Sequence, residues 1–247
     1  MTITHILLDI EGTTCPVSFV AEVLFPYASS SLERYLEEHQ DEAEIKSLIE
    51  GVEQAWREDE HRDAVVLLQE QGDTTPIEVR GIAKYLRQLI QRDIKLTELK
   101  DLQGRVWRSG YASGELVAPL FPDVPEALQR WHEQGFTLAV YSSGSVPAQQ
   151  LLYGHCQAGD LMPLFQHWFD TKTGIKQAKE SYLTIAQSMG TAPSDVLFIS
   201  DALQELEAAD AAGMKTLFSD REDNPARDAG RFAKISDYSG LNPGDGF

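Results

Sequence analysis

The stretch His5-Ile6-Leu7-Leu8-Asp9-Ile10-Glu11-Gly12-Thr13-Thr14 constrains this chain more than any other. An apolar run of strand character ends abruptly in two acids, a glycine and two threonines, which is how a buried parallel strand delivers polar groups to its carboxyl end. In open α/β sheets that edge carries the sites. Asp9 and Glu11 stand two residues apart, so they face the same way if extended geometry persists through Ile10. Two carboxylates in one small space repel each other, and one pKa rises unless a cation is bound. The pair therefore reads as either a general acid/base couple or a metal site. Gly12 permits a sharp turn beside them, and the Thr13 and Thr14 hydroxyls can cap a helix or satisfy local amides. Taken alone, the stretch could equally be a strand end running into a helix cap.

The rest of the chain decides between these readings. Between Phe19 and Arg108 no strand pattern is convincing, whereas Ile45, Leu48, Ile49, Val52 and Trp56, then Ile82, Tyr85, Leu86, Leu89 and Ile90, each share one helical face. Thr75-Pro76-Ile77-Glu78 has the form of an N-cap, a first-turn proline and a capping-box acid, which predicts a helix start there. The acids Glu37, Glu38, Asp41, Glu42 and Glu44 read as solvated helix faces. From Pro119 a βα rhythm follows. Asp123-Val124-Pro125-Glu126 caps a helix through Trp131 that Gly135 ends, and Phe136–Tyr141 is a strand running into Ser142-Ser143-Gly144-Ser145. Pro147–Leu152 is helical, Trp168-Phe169-Asp170 a short strand and Ser181–Met189 a helix. Val196–Ser200 then delivers Asp201, Leu203–Ala212 is a helix closed by Gly213, and Lys215–Phe218 is a last strand. The tail from Asn242 is expected to fray.

Alternating strands and helices predict an α/β fold: a doubly wound parallel sheet core with an inserted all-helical domain. The expected division is residues 1–18 with 115–247 for the core and 19–114 for the insertion. At 247 residues one large domain or two small ones fit. A formal charge of -18 excludes nucleic acid and anionic membrane as expected partners, and an anionic substrate would need a cation nearby. Cys15 and Cys156 show no metal or disulfide spacing, so a reducing cytoplasm is the simplest home. The first apolar run lacks a preceding basic region and is broken by Asp9, unlike a signal peptide, and no stretch is apolar enough to span a bilayer. None of the six histidines has metal or triad spacing; His5, expected just ahead of the first strand, and His167 read as structural, and Trp56, Trp107, Trp131 and Trp168 as packing.

Three strand ends carry chemistry: Asp9 with Glu11, Ser142 with Ser143, and Asp201 with Glu205 four residues on. Lys172, Lys176 and Lys179 lie between the last two. Each has a dull explanation as a cap or a surface residue, but independent caps would not need to alternate acid, hydroxyl, amine and acid along successive strand ends.

That order resembles the haloacid dehalogenase-like superfamily, and Asp-Ile-Glu-Gly-Thr-Thr, with Glu11 where superfamily phosphatases usually carry Asp, is similar to the enolase-phosphatases of methionine salvage. Leu24-Phe25-Pro26-Tyr27-Ala28, Trp107 with Gly110-Tyr111, Gly114-Glu115-Leu116, Tyr141 to Ser145, and Ser200-Asp201 with Glu205-Leu206 carry the same resemblance. It implies a magnesium-dependent enzyme that enolises and dephosphorylates a small phosphorylated diketone, 2,3-diketo-5-methylthiopentyl-1-phosphate, to an acireductone. By the resemblance Asp9 is the nucleophile and Glu11 the acid/base. Ser142, Ser143 and Lys176, picked out by Gly174-Ile175-Lys176, bind phosphate. Asp9, Glu11 through its backbone carbonyl, and Asp201 hold Mg2+, Glu205 orients Lys176 or reaches the metal through water, and the helical insertion is a cap. Separately from the resemblance, a monomer is expected. A simple phosphatase or dehalogenase of the superfamily is the alternative enzyme. A phosphoacceptor receiver domain is opposed by motif order, since its acid pair precedes the phosphorylated Asp.

Overall fold

The computed structural model describes residues 2–72 and 76–245. It divides into two compact units, residues 1–20 with 117–247, and residues 21–116.

Among the described residues the first unit is built on six strands: β1 (His5–Leu8), β2 (Thr137–Tyr141), β3 (Phe165–Phe169), β4 (Val196–Ser200), β5 (Lys215–Ser219) and β6 (Lys234–Ile235). They form one sheet in the order β3-β2-β1-β4-β5-β6, with every neighbouring pair parallel. Ile6, Leu7 and Leu8 are fully buried, as a central strand covered on both faces requires. Leu8 pairs with Val140 on one side and Ile199 on the other, so β1, β2 and β4 end within one residue of one another. The β2–β3 register slips between Leu138 and Ala139, and Gln166 Oε1 accepts the Leu138 amide at 2.8 Å. A side chain thereby replaces the bond that the bulge removes.

The second unit is helical. It contains α1 (Phe25–His39), α2 (Ala43–Glu58), α3 (Arg62–Glu70), α4 (Val79–Gln91) and α5 (Thr97–Ser113). Their apolar stripes close one core around Leu32, Val52, Trp56, Ile82, Leu86 and Leu102. Trp56 stacks on Tyr85 with ring centroids 4.8 Å apart. A π-helical segment, Phe19–Leu24, precedes α1. The helix expected to start at Thr75-Pro76 starts at Val79 instead. Ile77 is buried, and Glu78 takes the N-cap position in extended conformation; Thr75 lies outside the described residues.

Among the described residues four more helices flank the sheet: α6 (Val124–Glu133), α7 (Val146–Gly154), α8 (Lys179–Ser188) and α9 (Leu203–Ala211). Leu7, Ala139, Tyr141, Val196 and Phe198 pack with Tyr182, Ile185 and Leu206 of α8 and α9. These strand residues alternate with Leu8, Val140 and Leu197, which point to the opposite face. The third strand begins at Phe165, earlier than its Trp168-Phe169-Asp170 signal, and His5 belongs to β1 rather than preceding it. The short β6 carried no sequence signal, and Pro243–Asp245 of the tail forms a 3₁₀ turn with Pro243 buried. Both cysteines are free and buried. Among the described residues no helix is long and apolar enough to cross a membrane.

Asp123 does not cap α6 with its side chain as its position suggested. Its carboxylate instead accepts two bonds from the Arg221 guanidinium, at 2.9 and 3.0 Å, and one from the Tyr238 amide at 2.7 Å. Arg221 is buried between the rings of Phe121 and Tyr238, with 4.4 and 4.3 Å to their centroids. A buried pair is poorly replaced from one side only, because the remaining charge has no partner. Asp123→Ala is expected to destabilise the protein by about 3–5 kcal/mol, measured by urea unfolding, as for other broken buried pairs.

Candidate active site

The chain leaves β1 through a turn whose shape follows from where its carbonyls go. The Ile10 carbonyl accepts the amides of Thr13, Thr14 and Cys15 at 3.1, 2.8 and 2.9 Å. The Gly12 carbonyl accepts Ser219 Oγ and Asn224 Nδ2, both at 2.9 Å, and the Thr13 carbonyl accepts the Tyr238 hydroxyl at 3.0 Å. Among the described residues the Glu11 carbonyl receives no such bond. Gly12 has φ +67, and a Cβ there would collide with Asp201 Oδ2, so conformation and close approach both require glycine. Thr13 and Thr14 cap no helix; the Thr14 hydroxyl lies 2.7 Å from the Tyr153 hydroxyl and back-bonds to the Ile10 carbonyl at 3.3 Å.

Asp9 follows directly on β1, its amide still bonded to the Ile199 carbonyl at 3.0 Å. Its Oδ1 lies 2.8 Å from Lys176 Nζ, and Lys176 also reaches Glu205 Oε2 at 2.8 Å. The Ser200 hydroxyl at the end of β4 lies 3.1 Å from Glu205 Oε2 and 3.4 Å from Asp9 Oδ2, with one proton to give to either. Lys176 is 7% exposed, whereas Lys172 and Lys179 are exposed on the surface. Asp201 does not cap α9, whose N-cap residue is Ala202; it sits against Gly12 instead.

The cluster holds more negative than positive charge. Burial and the neighbouring Asp9 push the Asp201 carboxyl up to about 7, and the same two causes, in that order, push the Glu11 carboxyl up. Burial pulls the Lys176 ammonium down, but Asp9 and Glu205 together outweigh it and hold the amine protonated. Glu205 is also pushed up by burial and Asp9, although Lys176 opposes the rise. The geometry of the pair supports a charged amine shared between two carboxylates.

Ser142 follows β2 and is buried, with its amide on the Phe169 carbonyl at 3.2 Å and its Oγ accepting the Gly144 amide at 3.2 Å. Ser143 is exposed. Gln149 Nε2 bonds the carbonyls of Gly144 and Phe169 at 2.7 and 2.8 Å, tying the loop after β2 to the end of β3. The strand ends thus bring Asp9, Lys176 and Glu205 into direct contact, put Asp201 beside Gly12, and set Ser142 on the adjacent strand. Ser200, Ser219 and Asn224 were not singled out from sequence for these contacts. Ser200 and Ser219 end strands, which is the one signal they carry; Asn224 carries none.

Among the described residues no three His, Cys, Asp or Glu side chains converge closely enough to hold a metal by themselves. Asp9 and Asp201 could hold one with the unbonded Glu11 carbonyl as the third donor. All three offer hard oxygens in a site short of positive charge, which suits a divalent cation of the magnesium type.

A family model described as a haloacid dehalogenase-like hydrolase matches residues 3–213. The chain is 50% identical to an enolase-phosphatase E1 of Parasynechococcus marenigrum (strain WH8102) over 225 residues, 91% of this chain and 92% of that one. It is 42% identical to an enolase-phosphatase E1 of Drosophila willistoni, over 89% of this chain and 87% of the relative. The crystal structure of the UTR4 protein of Saccharomyces cerevisiae superposes with a TM-score of 0.72 at 32% identity, covering 97% of this chain and 100% of that chain. The parallel sheet, the acids at its strand ends and these relatives agree: the chain belongs to the enolase-phosphatase E1 family of haloacid dehalogenase-like hydrolases.

Proposed function

We propose that this enzyme takes 2,3-diketo-5-methylthiopentyl-1-phosphate, enolises it and removes its phosphate to leave an acireductone. The observation that carries the residue assignment is the Asp9–Lys176–Glu205 contact at the carboxyl ends of β1 and β4, in a chain whose relatives are named for both half-reactions. Asp9 is the nucleophile. One Oδ attacks phosphorus in line, the P–O bond to the substrate breaks, and the departing oxygen takes a proton. Lys176 gives the phosphoryl oxygens a fixed positive charge, and the Ser142 hydroxyl donates to another of them; Ser143, exposed on the same loop, is the weaker member of the set. Water then attacks the aspartyl-phosphate and frees Asp9. Magnesium, held by Asp9, Asp201 and the Glu11 carbonyl, would supply the positive charge that lets a dianion enter so acidic a site.

Glu11 is the acid/base in this reading. Asp9 and Glu205 are engaged by Lys176, while the Glu11 carboxyl makes no hydrogen bond or ion pair within the protein among the described residues. With Asp201 assigned to the metal, it is the carboxyl left to take a proton from the carbon beside a substrate carbonyl. Lys176 is a poor candidate for that base because two carboxylates hold its proton.

Phosphate release from the diketone phosphate, assayed with magnesium, is expected to cease in Asp9→Asn and in the wild type with a chelator. Wild-type turnover in Asp9→Asn would remove the covalent mechanism. Separately, Glu11→Gln is expected to slow formation of the enol, followed by its ultraviolet absorbance, by about 10²- to 10⁴-fold. Hydrolysis of a preformed enol phosphate should fall much less. An equal loss in both steps would mean that Glu11 acts through the fold or the metal.

A further inference from the structure

The loop that carries Lys176 has little packing of its own. Gly174 has no side chain, and Ile175 is 69% exposed. Yet Lys176 must leave the surface and reach Asp9 at 2.8 Å with a side chain of four rotatable methylenes. Beyond the Ala178 amide, which bonds the Ile175 carbonyl at 2.9 Å, what holds this backbone is a row of hydroxyls. Tyr141 donates to the Gly174 carbonyl at 3.0 Å, Ser181 to the Ile175 carbonyl at 2.7 Å, and Tyr182 to the Lys176 carbonyl at 2.7 Å. Three successive carbonyls are thus bonded by three buried hydroxyls, one from the last residue of β2 and two from the first turn of α8.

The donors are themselves fixed. Tyr141 and Tyr182 meet edge to face at 5.7 Å, and Tyr182 packs on Phe198 of β4 at 5.1 Å, so both phenols are held by the same layer that holds the strands. Lys176 Nζ lies 5.7 Å from the centroid of the Tyr141 ring, which confines the amine from a second side. A Cβ on Gly174 would collide with Ser181 Oγ, so the loop sits against its clamp without slack.

We propose that Tyr141, Ser181 and Tyr182 are positioning residues for phosphoryl transfer: by clamping the carbonyls of residues 174–176 they set where the Lys176 ammonium stands. The proposal rests on the reading of Lys176 as the phosphate-binding amine. A misplacement of about 1 Å in such a group can lower turnover by about 10²-fold, so loss of one hydroxyl from the row is expected to be visible in kcat.

The test is a double-mutant cycle in the full-length protein, with phosphate release as the readout and circular dichroism to confirm folding. Tyr182→Phe and Ser181→Ala are each expected to lower kcat by about 10-fold while KM stays within about threefold. On a Lys176→Ala background the same changes should cost no further turnover, because the group they position is gone. The same factor of loss on both backgrounds, or unchanged kcat in both single variants, would overturn the proposal. Wild-type turnover in Lys176→Ala would instead overturn the assignment of the lysine, and the clamp's role with it. Where Lys176→Ala turns over too slowly to measure, orthovanadate affinity by calorimetry closes the same cycle under the same criteria. Should Tyr182→Phe fail to fold, Ser181→Ala serves alone.

Discussion

One ammonium stands between two buried carboxylates, and the site is arranged around that fact. Lys176 reaches Asp9 and Glu205 at 2.8 Å each, and Glu11 and Asp201 bring two further carboxyls whose pKa burial and Asp9 push up. Burying a carboxylate is expensive unless it is paired and hydrogen-bonded, and one lysine cannot pair with four. In our reading the remaining imbalance would draw in a divalent cation and, through it, a phosphate that the protein's overall charge of -18 would repel.

Holding that cluster together falls to groups that never meet the substrate in our reading. Arg221 and Tyr238 bond the Thr13 carbonyl, and Ser219 and Asn224 bond the Gly12 carbonyl, so the turn after Asp9 is gripped from β5 and the segment beyond it. Gln149 grips the loop after β2 in the same way. At Gly12, Thr13 and Gly144 a side-chain donor takes a loop carbonyl that no strand or helix satisfies, which removes an unpaired polar group and fixes the loop in one step. The sheet order adds the rest. With β1 between β2 and β4, the ends carrying Asp9, Ser142 and Asp201 are neighbours, at the place where the strand order reverses.

Much of this was legible in the residues. The apolar runs ending in Asp9, Ser142 and Asp201 marked the three strand ends, because a strand buried on both faces has no use for a charge except where it emerges. Gly174-Ile175-Lys176 distinguished Lys176 from Lys172 and Lys179 through the resemblance rather than through any local pattern, and the buried amine stands apart from its two exposed neighbours. Asp123 shows the limit: the Asp-Val-Pro-Glu pattern at a helix start reads as a cap, but its carboxylate answers a buried arginine nearly a hundred residues away. The helix expected at Thr75-Pro76 began at Val79 for a similar reason, since Ile77 is drawn into the helical core.

By itself the sequence determined the alternation of strands and helices, the helical insertion, and the acids and hydroxyl where strands end. Those depend on periodicity and on burial along one segment, which neighbouring residues reveal. Only the tertiary structure decided the partners: that Lys176 divides itself between Asp9 and Glu205, that Gly12 makes room for Asp201, and that Tyr141, Ser181 and Tyr182 fall on three consecutive carbonyls. Tyrosine and serine carry no local signal for such a contact. Their hydroxyls find an acceptor only after the sheet has closed and brought the end of β2, the start of α8 and the lysine loop within bonding distance.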